Sequence, residues 1–282
     1  MGRTTSSWSG SGTSREIVDM CVLFLGFRAH PDHDVVLAAN RDEFHARPTR
    51  EMHAWDDHPD ILAGRDLQSG GTWLGVTRSG RFAAITNFRD PAAQRGDAQS
   101  RGALVVEYLL GDGAPHAFTE SLRPRAGAFN GFNLIVGTRR EAAYLASLTG
   151  ESRVLAPGVY GLSNHLLDTP WPKLVQGKGA FTKLLESHPL PEPEAFFQML
   201  RSDQGAPDAE LPDTGVGLEM ERMLAPLFIE DARRPPHYGT RSSSVVTFSK
   251  TGEVRFWERS YLPGTEPRQV ERSFRTLDAS SE

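Results

Sequence analysis

The chain of 282 residues contains one cysteine, Cys21, and it stands at the head of a continuous apolar run, CVLFLGF. One thiol cannot close an internal disulfide, and a cysteine-based structural zinc site needs several. A lone cysteine is ordinarily a small buried hydrophobe, so its neighbours in the fold decide whether it does chemistry. Four polar segments stand out. Asn40, Arg41, Asp42 and Glu43 end a second apolar run, DVVLAAN, just before Phe44. Asn87 closes a predicted hairpin in Thr86-Asn87-Phe88, and Asn164 ends Gly161-Leu162-Ser163-Asn164. Arg241, in Tyr238-Gly239-Thr240-Arg241, leads directly into the last predicted hairpin. Each of these residues alone reads as a turn, a helix cap or a solvated charge.

Together with Cys21 they make a chemically complete set. A cysteine exposed as the first residue brings its own base, because an α-amino group with a pKa of roughly 7.7–8.0 accepts a thiol proton near neutrality. A guanidinium beside it, from Arg41 or Arg241, favours the thiolate. Asp42 or Glu43 would hold or orient the ammonium form. Asn87 and Asn164 would donate side-chain N–H groups to a developing oxyanion, one such donor being worth about 3–4 kcal/mol of barrier. The outline is amide or thioester acyl transfer.

These residues need rigid strand ends to position them, and the sequence supplies candidates. Apolar runs at residues 21–27 and 34–40 read as strands, with Pro31-Asp32-His33 as the turn between them. Hairpins are predicted for 72–76 with 81–88 through Ser79-Gly80, for 131–137 with 142–148, and for 243–249 with 253–259 through Lys250-Thr251-Gly252. A further strand is expected at Val159-Tyr160. Helical patterns occupy 101–110, 172–187, 193–201 and 217–229, and the Pro- and acid-rich stretch 202–214 reads as a surface loop. Continuous apolar strands imply sheets covered on both faces. The expected fold is α+β: two antiparallel sheets carrying helices on their outer faces, in one domain.

The bulk numbers set limits. With 31 basic and 36 acidic side chains the net charge is −5, which argues against a nucleic-acid or anionic-membrane surface. No apolar run approaches the ~18 residues needed to span a bilayer, so a soluble, cytoplasmic protein is the expectation. His30 with His33, and His53 with His58, have spacings a metal could use but no convergent third ligand, so no metal site is expected. Walker and dinucleotide patterns are absent, and no other cofactor is indicated. Trp55, Trp73, Trp171 and Trp257 read as core or rim aromatics.

The ordered motifs MCVLFLGF, VLAANRDEF, GGTWLGV, AAITNF, FNGFNLIV, GVYGLSN, TPWPKL and YGTRSSSVV, spread over residues 20–275, resemble the NRDE family, related to the transport-and-Golgi-organisation-2 proteins. The resemblance implies a four-layer αββα sandwich of the N-terminal-nucleophile hydrolase type. Its chemical cousins would be choloylglycine hydrolase, penicillin V acylase and acid ceramidase. By motif order it casts Cys21 as nucleophile, Asn87 and Asn164 as the two asparagines and Arg241 as a late arginine. Arg41 and Asp42 match its Arg/Asp motif, with Asn40 and Glu43 beside the substrate, in a register that leaves Asp42 and Glu43 both open as the key acid. Two functions follow: a cysteine amidohydrolase or acyltransferase on an acylated small molecule, or a non-catalytic carrier of haem, acyl-CoA or lipid in the same pocket. Eukaryotic members are associated with secretory-pathway and Golgi organisation and with haem or lipid metabolism.

One departure from that pattern concerns the start of the chain. Residues 1–19 are rich in Ser, Thr and Gly and lack the apolar core of a secretory signal, so they are expected to be a disordered extension. Translation starting at Met20, a propeptide cut at Cys21, or a persistent extension that leaves no α-amine all fit; the composition favours the first. The domain is expected over residues 20–275, with a tail at 276–282.

Overall fold

Alternation along the first strand decides the architecture. In β1 (Met20–Phe27) Leu23 and Leu25 fall in one buried cluster while Val22 and Phe24 fall in another. A strand whose two faces are both apolar must be covered on both sides. The computed structural model describes residues 20–230 and 237–277 and bears this out. The expected extension at 1–19 lies outside the described residues.

After β1 come β2 (His33–Phe44), β3 (Thr49–Ala54), β4 (Ile61–Asp66), β5 (Leu74–Thr77) and β6 (Phe82–Asn87). Helices α1 (Gly102–Leu110) and α2 (Pro115–Leu122) follow, then β7 (Phe132–Gly137), β8 (Ala142–Ala146), β9 (Glu151–Val154) and β10 (Gly158–Leu162). The last third holds α3 (Pro172–Leu185), α4 (Pro193–Leu200), α5 (Leu218–Met223), β11 (Tyr238–Ser249), β12 (Glu253–Ser260) and β13 (Arg268–Arg275). Two antiparallel sheets result, one ordered β10-β1-β2-β11-β12-β13 and the other β3 to β9 in sequence order.

Between the sheets, Leu23, Leu25 and Leu37 of the first meet Leu74, Val76, Phe82 and Ile135 of the second. Outside the first sheet, Phe24, Val36 and Trp257 pack on Phe181, Phe196 and Leu200 of α3 and α4. Outside the second, Ile61, Ala83 and Leu134 pack on Leu104, Val105 and Leu109 of α1. The order of layers is helix, sheet, sheet, helix. No helix among the described residues is long and apolar enough to cross a membrane.

Two departures from the sequence reading matter for the site. The second strand does not stop at Asn40 but runs to Phe44, so the four polar residues lie within the sheet. The last predicted helix, 217–229, survives only as α5, because Pro226 lacks the amide hydrogen that a continuing helix would use. A third feature places α3. Leu185 of α3 lies over Gly26, where an added Cβ would meet Leu185 Cδ1 at 2.6 Å, and Gly177 lies over Phe24. α3 therefore runs along β1 in the same direction, which brings its first turn to the Cys21 end.

Candidate functional site

The pairing of β1 with β2 sets Cys21 opposite Arg41 and Met20 opposite Asp42. Directly opposed residues share a face of the sheet, and successive residues alternate faces. Cys21, Arg41 and Glu43 therefore point between the sheets, while Asn40 and Asp42 point to the helical layer. A cavity of about 470 Å³ opens at this end of the sandwich and is lined by Cys21, Arg41, Asp42, Glu43, Trp73 and Asn87, among others. Cys21 is half-buried in its wall.

Around Arg41 the cavity's charges are paired. The Arg41 guanidinium stacks on Trp73, 4.3 Å from the ring centre, and donates to Glu43 Oε2 at 3.2 Å. Arg47 reaches the same oxygen at 3.5 Å and donates to Asp66 at 2.6 Å. Glu43 Oε1 accepts the Phe44 amide at 2.8 Å. Glu43 is thus committed to holding the wall.

On the helix side the situation differs. Thr240 Oγ1 donates to Asp42 Oδ1 at 2.6 Å, whereas Asp42 Oδ2 has no hydrogen-bond partner among the described residues. Burial pushes the Asp42 carboxyl above the usual carboxylate range, opposed first by Lys173, then by the Thr240 hydrogen bond and by Arg41 and Arg89. Lys173, in the first turn of α3, is buried, and its Nζ donates to the Leu224 carbonyl at 3.0 Å. Beside it a buried ion pair joins Arg89 to Glu221 at 2.5 Å. Of the two acids left open by the sequence, Asp42 is the one with an oxygen to spare.

The remaining expected site residues divide. Asn87 ends β6 and lines the cavity. Asn164 is fully buried behind it: its Nδ2 donates to the Asn87 carbonyl at 3.1 Å, and Ser163 Oγ donates to the Cys21 carbonyl at 3.1 Å. Asn164, expected as an oxyanion donor, is therefore not among the residues that line the cavity, and two further expectations are corrected. Asn40 does not face a substrate; its Nδ2 donates to the carbonyls of Leu200 and Leu227 at 2.9 and 2.8 Å, and its Oδ1 accepts from Ser243. Arg241 does not line the cavity; it sits at an irregularity of β11, where its guanidinium binds the carbonyls of Phe44, His45 and Arg47 at 3.0, 2.8 and 3.1 Å. Alternation along the strand explains the first, and the β2–β3 turn's need for donors explains the second.

Sequence reasoning missed Lys173, Arg89, Glu221 and Trp73 as parts of this end of the molecule. Lys173 lies within the quoted TPWPKL motif, but nothing in the spacing says that its ammonium turns inward. Among the described residues no group of three or more His, Cys, Asp or Glu side chains is arranged to hold a metal ion.

Comparison with known proteins agrees with this architecture. The bovine transport and Golgi organization protein 2 homolog is 36% identical over 275 residues, covering 89% of this chain and 96% of that protein. The human homolog is 34% identical, covering 86% and 94%, and the Drosophila melanogaster protein 28%, covering 88% and 94%. Among solved structures, a cysteine-to-alanine mutant of conjugated bile acid hydrolase from Clostridium perfringens superimposes with a TM-score of 0.50 at 8% identity, over 89% of this chain and 92% of that one. That likeness concerns the fold alone, which is of the N-terminal-nucleophile hydrolase type. The family model described as Transport and Golgi organisation 2 matches residues 20–263, and the chain belongs to that family.

Proposed function

We propose that the protein is a cysteine amidohydrolase or acyltransferase that acts on an acylated small molecule from the cavity above Cys21. The observation that carries this reading is the juxtaposition at the β1 end. A half-buried thiol, a guanidinium on the same face and Asn87 line one cavity, and a carboxylate oxygen with no hydrogen-bond partner among the described residues belongs to the residue paired with the one before the cysteine. Removal of everything ahead of Cys21 creates an α-amino group where the Met20 peptide now sits, opposite Asp42. That amine takes the thiol proton. The sulfur attacks the acyl carbonyl carbon, forming a C–S bond. The oxyanion is met by Asn87, while Asn164 braces the turn that carries it. Collapse breaks the C–N bond, the α-ammonium returns the proton to the leaving amine, and water or an acceptor amine then releases the acyl group from the thioester.

A carrier of haem or lipid in the same cavity has less support, because charged and polar side chains dominate the lining and only Phe44, Trp73, Ile85 and Ala98 offer apolar surface beyond backbone and stems. The test uses a chain whose first residue is verified as Cys21, presented with a panel of acyl amides and thioesters. Turnover is expected together with an acyl adduct on Cys21 by intact mass. Cys21→Ala should fold normally and lose both. Turnover by the alanine variant, or no adduct and no turnover from the verified chain across the panel, would sink the assignment.

A further inference from the structure

We propose that the end of the sandwich opposite Cys21 carries a second binding site, which takes a small molecule bearing a phosphate or diphosphate group through Arg28 and Arg140. The site stands apart from the acyl-transfer reading and draws on none of its residues.

Turns from both sheets close that end. Arg28 follows β1 in the first sheet, and Arg139 and Arg140 form the two-residue turn between β7 and β8 in the second, closed by the Thr138 amide on the Glu141 carbonyl at 2.8 Å. These arginines line a cavity of about 440 Å³, a volume in the range of small-molecule sites. The length of β1 from Cys21 to Phe27, about 20 Å at ~3.3 Å per residue, separates it from the cavity at Cys21. Its charge is not balanced. Arg139 donates to Asp34 Oδ2 at 2.9 Å and to the Lys250 carbonyl at 2.7 Å, which occupies the one carboxylate among the lining residues. Arg28 and Arg140 are exposed, and neither guanidinium makes a hydrogen bond or ion pair among the described residues. Two uncompensated cations thus share one cavity in a chain of net charge −5.

Turn geometry does not account for these arginines. Arg28 has a φ of 49°, in the left-handed region that glycine and asparagine enter readily and arginine rarely. A two-residue hairpin turn ordinarily takes Asn-Gly or a similar pair, and here it is Arg139-Arg140. The donors at hand define the ligand. A guanidinium presents a planar fork of N–H groups that matches phosphate oxygens in pairs. Thr138 Oγ1 accepts the amides of Arg140 and Glu141 at 3.2 and 3.3 Å, while its own proton goes to no acceptor among the described residues. A phosphate ester supplies three acceptor oxygens and nearly two charges to these groups. An acyl chain or haem finds only Leu277 as a large apolar side chain in the lining, and the excess positive charge repels a metal cation.

Calorimetric titration of the full chain with inorganic pyrophosphate at low ionic strength tests the site. Binding is expected with a Kd below about 1 mM, together with a rise in Tm, since only the folded chain brings the turns together. The double variant Arg28→Asn, Arg140→Gln should bind at least ~tenfold more weakly, because charge-assisted hydrogen bonds are lost, and asparagine tolerates the left-handed backbone at residue 28. Removing two charges elsewhere, with Arg123→Gln and Arg153→Gln, should change binding by less than ~twofold, since a local site and not net charge holds the ligand. All four side chains are exposed, so both double variants should fold. Equal weakening by the two pairs would reduce the effect to general charge attraction and overturn the proposal. So would a wild type that binds no pyrophosphate, or one that takes citrate more tightly, which would make this a site for carboxylates.

Discussion

Glu258 offers a test of how the two sheets are held together beneath the cavity. It lies on β12, between Ser244 and Val270 on the neighbouring strands, and its side chain crosses to the other sheet. Oε1 accepts the Met52 amide at 2.7 Å, while Oε2 has no hydrogen-bond partner among the described residues. The group is fully buried, and burial raises its pKa from 4.5 to about 7, against the Met52 hydrogen bond and Arg41. A carboxyl whose folded pKa is raised favours folding in its protonated form. Its contribution is complete below 4.5, declines as the unfolded chain ionises first, and is gone above about 7. An interval of about 2.5 pH units at about 1.4 kcal/mol each is about 3 kcal/mol. Glu258→Gln imitates the protonated acid at every pH. Urea unfolding at half-unit steps from pH 4.5 to 8 should show the variant within about 1 kcal/mol of wild type at the acid end and about 3 kcal/mol more stable at the alkaline end. A difference that stays flat with pH would refute the reasoning, since it would mean that Glu258 is ionised, or hydrated, in the folded protein at neutrality.

Two further substitutions test packing that places the site. Asn40→Ala strips the donors from the carbonyls of Leu200 and Leu227, and should cost about 3 kcal/mol by denaturant midpoint with an unchanged slope; a loss below about 0.5 kcal/mol would mean that those carbonyls find other donors. Gly177→Ala puts a methyl group into the fully buried Phe24 ring, and should lower stability by about 1–3 kcal/mol, whereas the open position Gly179 should tolerate alanine; equal stability of the two variants would show that α3 does not press on β1 as described.

The parts of the fold legible in the sequence were those in which hydrophobic runs and turn residues agree. The β5–β6 turn carries Gly80 at φ 80, a conformation glycine accepts readily, and the hairpin reading there was correct. The strands missed were mostly polar ones; β4 (ILAGRD), whose first four residues are buried, was missed as well because its apolar run is short and interrupted by Gly64. β13 (RQVERSFR) and β9 (ESRV) are sheet edges with exposed residues along most of their length, so they lack the apolar alternation that marks a half-buried strand. β3 (TREMHA) is the opposite edge and buries chiefly Met52. α2 is a short helix of mixed composition and was missed for the same reason. In the site, residue types were legible and directions were not. Nothing local distinguishes Asn40, which bonds two main-chain carbonyls, from Asn87, which lines the cavity. Arg241 was expected at the site because it precedes a hairpin, but an irregularity in β11 turns it toward the β2–β3 turn.

The run Asn40 to Glu43 shows why one strand end can serve a reaction and its support together. A period of two sends Arg41 and Glu43 to the cavity and Asn40 and Asp42 to the helices. On the cavity side, Glu43 fixes Arg41 and Arg47, so the wall keeps its shape and contributes little net charge. On the helix side, Asn40 ties β2 to the end of α4, and Asp42 accepts the Thr240 hydroxyl of β11. A slip of one residue in the β1–β2 pairing would exchange these roles. It would bury Arg41 among the helices and leave Asp42 facing Trp73. The register is protected against that slip by the apolar residues behind it, since Leu37 and Ala39 belong to the inter-sheet core and Val36 and Ala38 to the helical one. The chemistry at the strand's end therefore depends on hydrophobic residues several positions earlier, which is why four charged or amide side chains can be held inside a sheet at all.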